Sequence, residues 1–133
     1  MTVSLPRWVW IGAVTLACIG GMVNVVGYLG FEHQAVSHLT GTTSLLGAAL
    51  AQGDWRAVVH LWGVLIAFCT GAMLSGLIVQ DATLRLGRRY GVVLALEAAL
   101  LVAAVPLFER GSIWGALLAA MACGLQNAMV TTF

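Results

Sequence analysis

The sequence predicts an all-α protein, a polytopic bundle of membrane helices, on three observations. Of the 133 residues, 61% are hydrophobic and only 8% are charged, whereas about 25% of the residues of a soluble domain are charged. The hydrophobic residues come in long, nearly uncharged runs, and four runs approach or exceed the roughly 20 residues that a helix needs to cross a bilayer. Backbone amides in hydrocarbon must be paired within their own segment, so we expect helices.

Four long hydrophobic segments are expected to cross the membrane. The first follows Arg7 and continues to Phe31, well beyond the hydrophobic core of a signal peptide, which predicts a retained membrane helix. Trp8, Trp55 and Trp114 lie near the ends of these segments, where aromatic residues anchor helices at the interface. The predicted spans are residues 8–31, 57–79, 90–108 and 113–130 of a single membrane domain, residues 1–133.

Residues 34–52 form a further element whose hydrophobic part is too short to span a bilayer comfortably. Two placements are open: a re-entrant or interfacial half-helix that starts and finishes outside, and a crossing segment that puts the N-terminus outside. Cytoplasmic loops are enriched in Lys and Arg, so the loop with Arg85, Arg88 and Arg89 is placed inside. The re-entrant form puts Arg7 inside as well, and we favour it for a multi-pass protein of a bacterial inner membrane.

Small residues recur at every fourth position in each long segment. Such stripes let helix backbones approach closely in lipid, where hydrophobicity does not drive helices together. The sequence therefore predicts tight helix packing along them. The stripes are Ala13, Ala17 and Gly21; Gly63, Ala67, Gly71 and Ser75; Gly91, Ala95, Ala99 and Ala103; and Ala116, Ala120, Gly124 and Ala128.

Composition and spacing disfavour several classes of function. A net charge of +1 without a basic patch on a soluble face gives no sign of nucleic-acid binding. The three cysteines, Cys18, Cys69 and Cys123, lie in separate hydrophobic runs without a Cys-x-x-Cys spacing, so neither a zinc site nor a disulfide framework is indicated. They are interpreted as small packing residues, and no cofactor is expected. His33, His38 and His60 are interpreted as ordinary residues near the outer interface. No Ser/His or Cys/His pair stands out on one helical face, which argues against an enzyme.

Glu97 falls near the middle of the third long segment. A carboxylate in the middle of a membrane is costly, and it is by default a candidate for function. Glu97 is therefore a candidate proton-coupling or cation-binding group. The alternative is a neutral carboxyl hydrogen-bonded between helices, or a carboxylate that faces a small water pocket.

Asn24 in the first segment and Gln126 and Asn127 in the fourth are amides inside hydrophobic runs. Gly21 and Gly124 precede Asn24 and Asn127 by three positions, so a Gly-x-x-Asn pattern occurs twice, roughly a hundred residues apart. In the favoured topology the two segments that carry it are antiparallel. This weak repeat is the arrangement expected of an inverted-topology repeat with three crossings per unit.

A run of hydroxyl residues and a glycine comes directly before the hydrophobic part of residues 34–52. It consists of Thr40, Gly41, Thr42, Thr43 and Ser44. The pattern is typical of a helix N-terminus, whose free amides and positive dipole end can hold an anionic group or an ion. Broken helices of this kind form substrate sites in secondary transporters. The alternative is a re-entrant turn that merely caps itself.

These motifs together resemble a known family. They are Gly20, Gly21, Asn24 and Tyr28 of the first segment, Leu39-Thr40-Gly41-Thr42 through Leu46-Gly47, the pair Leu96-Glu97 and the string Gly124-Leu125-Gln126-Asn127-Ala128. In this order, over nearly the whole chain, they resemble the YoaK-like bacterial membrane proteins, the family of domain of unknown function 1275. The resemblance implies a helical membrane fold and no established activity.

The chain also departs from that family. Asn24-Val25 stands where members usually have Asp-Ala, and Thr42 stands where they have Asn, so an ionic role for position 24 is in doubt. Members usually continue past the Gln-Asn-Ala helix into a second Thr-Gly element. The chain therefore resembles a short or truncated member, or one that completes its fold by association.

The sequence thus predicts a membrane protein of transporter-like design that binds or moves a small ion or metabolite. The predicted site combines the first turn of the half-helix, Asn24, Glu97, Gln126 and Asn127. The alternative is a non-transporting assembly protein that packs against a partner or against a second copy as a homo-oligomer. The lipid bilayer is the one partner common to both.

Overall fold

The computed structural model describes residues 6–30, 38–79 and 88–131, and these ranges contain five α-helices and no strand. Residues 31–37, which include the start of the predicted half-helix, and the loop with Arg85 lie outside the described residues. The all-α prediction is confirmed. The helices are α1 (Arg7–Gly30), α2 (Leu39–Gln52), α3 (Trp55–Val79), α4 (Arg88–Glu109) and α5 (Ile113–Thr131).

Three of the helices in the described ranges are long and apolar enough to cross a membrane: Val9–Leu29, Trp55–Val79 and Arg89–Glu109. The fourth predicted span corresponds to α5, whose apolar stretch is shorter, Ile113–Met129. α5 is the central helix, and most of its residues from 115 to 125 are buried by its neighbours. The chain is therefore a helical membrane bundle, as the sequence predicts.

α3 and α5 lie in backbone contact along two of the predicted small-residue stripes. A methyl group on Gly71 would overlap the Met121 carbonyl oxygen, and one on Gly124 would overlap the Phe68 carbonyl oxygen. Nearer the start of α3, a Cβ on Gly63 would lie 3.2 Å from the Leu117 side chain. The residue numbers rise together on both helices, so α3 and α5 are parallel. The packing prediction for these two stripes is confirmed.

The stripe on α4 behaves differently. All four of its residues are exposed on the outside of the bundle: Gly91, Ala95, Ala99 and Ala103. α4 instead packs on α5 with larger side chains such as Tyr90 and Val93, because α5 already supplies small residues at this contact. Gly115 of α5, for example, lies against Ala104 and Phe108. The packing predicted for this stripe is therefore not seen within the described residues of this chain.

α2 and α3 form an antiparallel helical hairpin. Leu46 and Ala49 pack against Val58 and Leu61. Leu39, the first residue of α2, packs instead against a cluster built on Val64 and Phe68. α2 is 14 residues long, about 21 Å, so it begins level with the middle of α3 and ends at the N-terminus of α3.

The turn between α2 and α3 explains where both helices end and begin. Gly53 has φ 72°, a left-handed conformation that glycine adopts without steric cost. The next amide, of Asp54, donates to the Ala49 carbonyl at 3.0 Å. The Asp54 carboxylate then accepts a hydrogen bond from the Ala57 amide at 3.1 Å, capping α3. The hairpin is therefore fixed by local sequence.

α1 runs antiparallel to α5 and is the helix least embedded in the bundle. Leu16 packs against the cluster that contains Leu125 and Met129. Val23, two turns later, packs against the cluster that contains Ala119, Ala120 and Cys123. α4 is also antiparallel to α5, because Tyr90 and Val93 at its start pack near Leu125 and its end packs near Gly115. The starts of α1 and α4 consequently lie at the same end of the bundle.

Candidate functional site

A cavity of about 430 Å³ lies between α1 and α5. Most of its lining is small or apolar, with amide side chains on both helices. Within the described residues that line it, none is an Asp, Glu, Lys or Arg. They are Ala13, Leu16, Ala17, Gly20, Gly21, Asn24, His38, Cys123, Gln126 and Asn127.

The α1 side of the cavity is open because two adjacent residues of its lining are glycines. Gly20 and Gly21 leave the backbone of α1 bare, and a Cβ on Gly20 would lie 3.6 Å from the Gln126 Oε1 atom. Asn24, one turn further, is partly buried at the end of this surface. The Gly-Gly-x-x-Asn pattern therefore places one amide side chain beside an open stretch of backbone.

The α5 side contributes Gln126 and Asn127. The Gln126 Nε2 atom donates a hydrogen bond of 3.0 Å to the Leu16 carbonyl of α1, a link between residues 110 positions apart. Asn127 is exposed to the cavity. The structure thus brings Asn24, Gln126 and Asn127 together, on two antiparallel helices.

The N-terminus of α2 lies at the edge of this cavity through His38. His38 precedes the first helical residue, has φ −108° and ψ 90°, and its side chain does not cap the helix. The first amides of a helix have no partner within the helix. Their partial positive charge therefore lies at the edge of the cavity that His38 lines.

The predicted Thr/Ser segment forms the first turns of α2, and none of its residues lines the cavity. Three hydroxyls donate back along the helix, to carbonyls of the preceding turn, instead of accepting from the first amides. Thr42 is buried, whereas Thr40, Gly41, Thr43 and Ser44 are exposed. The bonds are Thr42 Oγ1 to His38 O at 3.3 Å, Thr43 Oγ1 to Leu39 O at 3.0 Å and Ser44 Oγ to Thr40 O at 2.9 Å.

Glu97 lies apart from this lining, in the packed interior. It is 4% exposed, and its Oε2 atom has no hydrogen-bond partner among the described residues. The Ser75 hydroxyl, 1% exposed, is a second buried polar atom without a partner in the described part of the chain. The structure therefore does not join Glu97 to the three amides in one pocket.

Among the lining residues that were not predicted as part of a site, His38 and Cys123 carry titratable side chains. His38 was interpreted as interfacial, although it lies two positions before the Thr-rich run that marked a helix start. Cys123 was interpreted as a small packing residue, although it adjoins Gly124 of the Gly-x-x-Asn pattern. In both cases the signal was proximity in sequence to a recognised motif.

Comparisons with known proteins agree with the fold. A family model described as "Protein of unknown function (DUF1275)" matches residues 12–133. The UPF0700 transmembrane protein YoaK of Bacillus subtilis (strain 168) is 33% identical over 70 residues, which cover 52% of this chain and 31% of that protein. The aligned part is therefore about a third of the relative's length. No solved structure matches.

Proposed function

The chain belongs to the DUF1275 family of proteins of unknown function, and we propose that it binds and carries a small polar solute across the membrane. One observation carries the proposal. Asn24, Gln126 and Asn127 line one open cavity of about 430 Å³ between α1 and α5 of a helical membrane bundle. Amides at membrane depth are rare without a role, and convergent polar groups in an apolar cavity are typical of ligand sites.

The lining favours a small solute that carries an anionic group. Its described residues include amide donors and His38 but no carboxylate that would attract a cation. The positive end of the α2 dipole at the same edge stabilises negative charge. Helix termini that meet a midplane site in this way hold anionic substrate groups in secondary transporters.

The position of α2 supports a re-entrant half-helix. At about 21 Å, the helix is shorter than a hydrocarbon core of about 30 Å. It begins level with the middle of α3 and ends where α3 begins. α1 is antiparallel to α5, whereas α3 is parallel to α5. α1 therefore ends at the side of the bundle where α2 ends and α3 begins. We infer that the segment enters and leaves on one side, outside the cell.

Accessibility to a membrane-impermeant maleimide tests this topology. In a variant without the native cysteines, Glu32→Cys and Asp54→Cys are expected to react from outside intact cells, because both flank the half-helix on one side. Arg7→Cys is expected to react only after the cells are opened. Opposite sidedness of positions 32 and 54 would contradict the re-entrant form and favour a crossing segment.

Filling the cavity tests the solute site. Ala17→Phe places a large ring in the lining, and we expect it to abolish solute uptake. The measurement is light scattering from proteoliposomes in nitrate, formate, acetate and phosphate salts, with urea as a neutral probe. Uptake of an anion by the native chain, and not by Ala17→Phe, is the expected result.

A matched control lies one turn away on α1. Val14 is 61% exposed and does not line the cavity, so Val14→Phe should leave uptake unchanged. If the native chain moves none of these probes and none raises its melting temperature in detergent, the solute proposal fails. Uptake of urea alone would replace the anionic solute with a neutral one.

A second candidate function is assembly with another helix, and the α4 stripe favours it. Gly91, Ala95, Ala99 and Ala103 are exposed, and a Cβ on Gly91 would meet nothing within 4 Å. Small exposed residues at this spacing suit a close helix contact in lipid. The stripe on α3 cannot serve in this way, because Gly71 is already buried against α5.

A further inference from the structure

Glu97 is the acidic side chain that the described bundle holds most deeply. It lies on the face of α4 that packs on α5, one turn after Val93 and one turn before Leu101. Only 4% of it is exposed, and Oε2 has no hydrogen-bond partner among the described residues. An ionised carboxylate that is dry and unpaired is strongly disfavoured. Helix packing alone does not account for an acid at this position.

Cys123 connects Glu97 with the cavity. Its side chain lines the cavity between α1 and α5. It also belongs to the buried cluster against which Leu101 of α4, one turn after Glu97, packs. Cys123 therefore lies between the cavity and the part of α4 that carries Glu97.

We propose that Glu97 is a proton-binding site that exchanges its proton with water in the cavity, past Cys123. A hydronium ion in the cavity gives its proton to the carboxylate, leaving a neutral carboxyl and a water molecule; the reverse step returns the proton to water. The inference goes beyond the proposed solute site, since it requires water in the cavity and no other ligand.

The surroundings of Glu97 favour a proton over a metal cation. Calcium takes six to eight oxygen ligands, and magnesium about six, whereas one carboxyl oxygen is enough for a proton. Cys123 is the titratable side chain of α5, and on α4 the one nearest to Glu97 in sequence is Tyr90. On α3, residues 70–79 contain no titratable side chain, and Cys69 before them is exposed. The described residues thus provide no basic partner that would hold Glu97 charged.

Infrared spectroscopy of the full chain in lipid nanodiscs tests the proposal. A protonated carboxyl has a carbonyl-stretch band that a carboxylate lacks, and deuterium exchange shifts it. We expect such a band in the native chain, its loss in Glu97→Gln and its loss at high pH. In a variant with Glu32→Gln and Glu109→Gln, Glu97 is the one glutamate left, so isotope-labelled glutamate then assigns the band to Glu97 even if Glu97→Gln does not fold.

The route through the cavity is tested by the rate of deuterium exchange. Ala17→Phe, which fills the lining, should slow the shift of the band, whereas Val14→Phe on the outer face of α1 should not. A band that never titrates, the absence of a glutamate band at any pH, or equal exchange rates in both variants would overturn the proposal. Failure of the solute-uptake assay leaves these results intact, so the two proposals can fail separately.

Discussion

Gly71→Val is expected to disrupt the bundle more than any other single change considered. A Cβ at this position would overlap the Met121 carbonyl of α5, and backbone atoms cannot move aside as a side chain can. Overpacking of a core typically costs about 1–3 kcal/mol, and we expect a loss at or above the upper end of that range. The measurement is the free energy of unfolding by SDS titration in mixed micelles.

The same helix offers a matched control. Gly76 is exposed, and a Cβ there would meet nothing within 4 Å. Gly76→Val makes the same chemical change in the same helix, and it should alter the free energy of unfolding by less than about 0.5 kcal/mol. Equal effects at positions 71 and 76 would mean that α3 and α5 are not in backbone contact.

Glu97→Met is expected to stabilise the protein. The change replaces a buried polar group, whose Oε2 has no partner in the described structure, with an apolar side chain of similar size. Leaving a buried polar group unsatisfied costs about 1–3 kcal/mol, and removing it recovers much of that cost. We expect a rise of this order in the free energy of unfolding, measured by the same SDS titration, together with loss of the exchangeable carboxyl band.

Glu109→Met is the control for this prediction. Glu109 is exposed at the end of α4, so the same substitution there should change stability by less than about 0.5 kcal/mol. A destabilised Glu97→Met would show that the carboxyl is satisfied by water or by a partner, and the argument from an unpaired oxygen would fall. A gain in stability with a loss of activity is the pattern expected of a residue kept for function.

Much of the fold could be predicted from local sequence. Long uncharged runs of this length predict helices in lipid, because a helix pairs its backbone amides within one segment whereas barrel strands are short and alternate. The Gly53-Asp54 turn is specified by its own residues. The antiparallel relation of the two Gly-x-x-Asn helices was expected from the favoured topology, and α1 and α5 do run antiparallel. The equivalence of these helices as an inverted repeat stays a prediction.

Other features depend on which helix becomes central. Small residues in α4 look the same in sequence as those in α3, but α5 can accept only one close backbone contact on each side. Gly71 takes the place against α5, and Ala95 and Ala99 face outward. Glu97 was grouped with the amides because all are polar side chains inside hydrophobic segments; helix rotation, which spacing alone does not fix, directs it into the packed interior instead.

The attachment of α1 has a consequence for how a solute could enter and leave. α3 and α5 interlock through bare backbone, whereas α1 is held to α5 by the Gln126 to Leu16 hydrogen bond and by the contacts of Leu16 and Val23. A hydrogen bond contributes only about 0.5–1.5 kcal/mol. α1 is thus the helix held most weakly, and its displacement from α5 would open the cavity without disturbing the contact between α3 and α5.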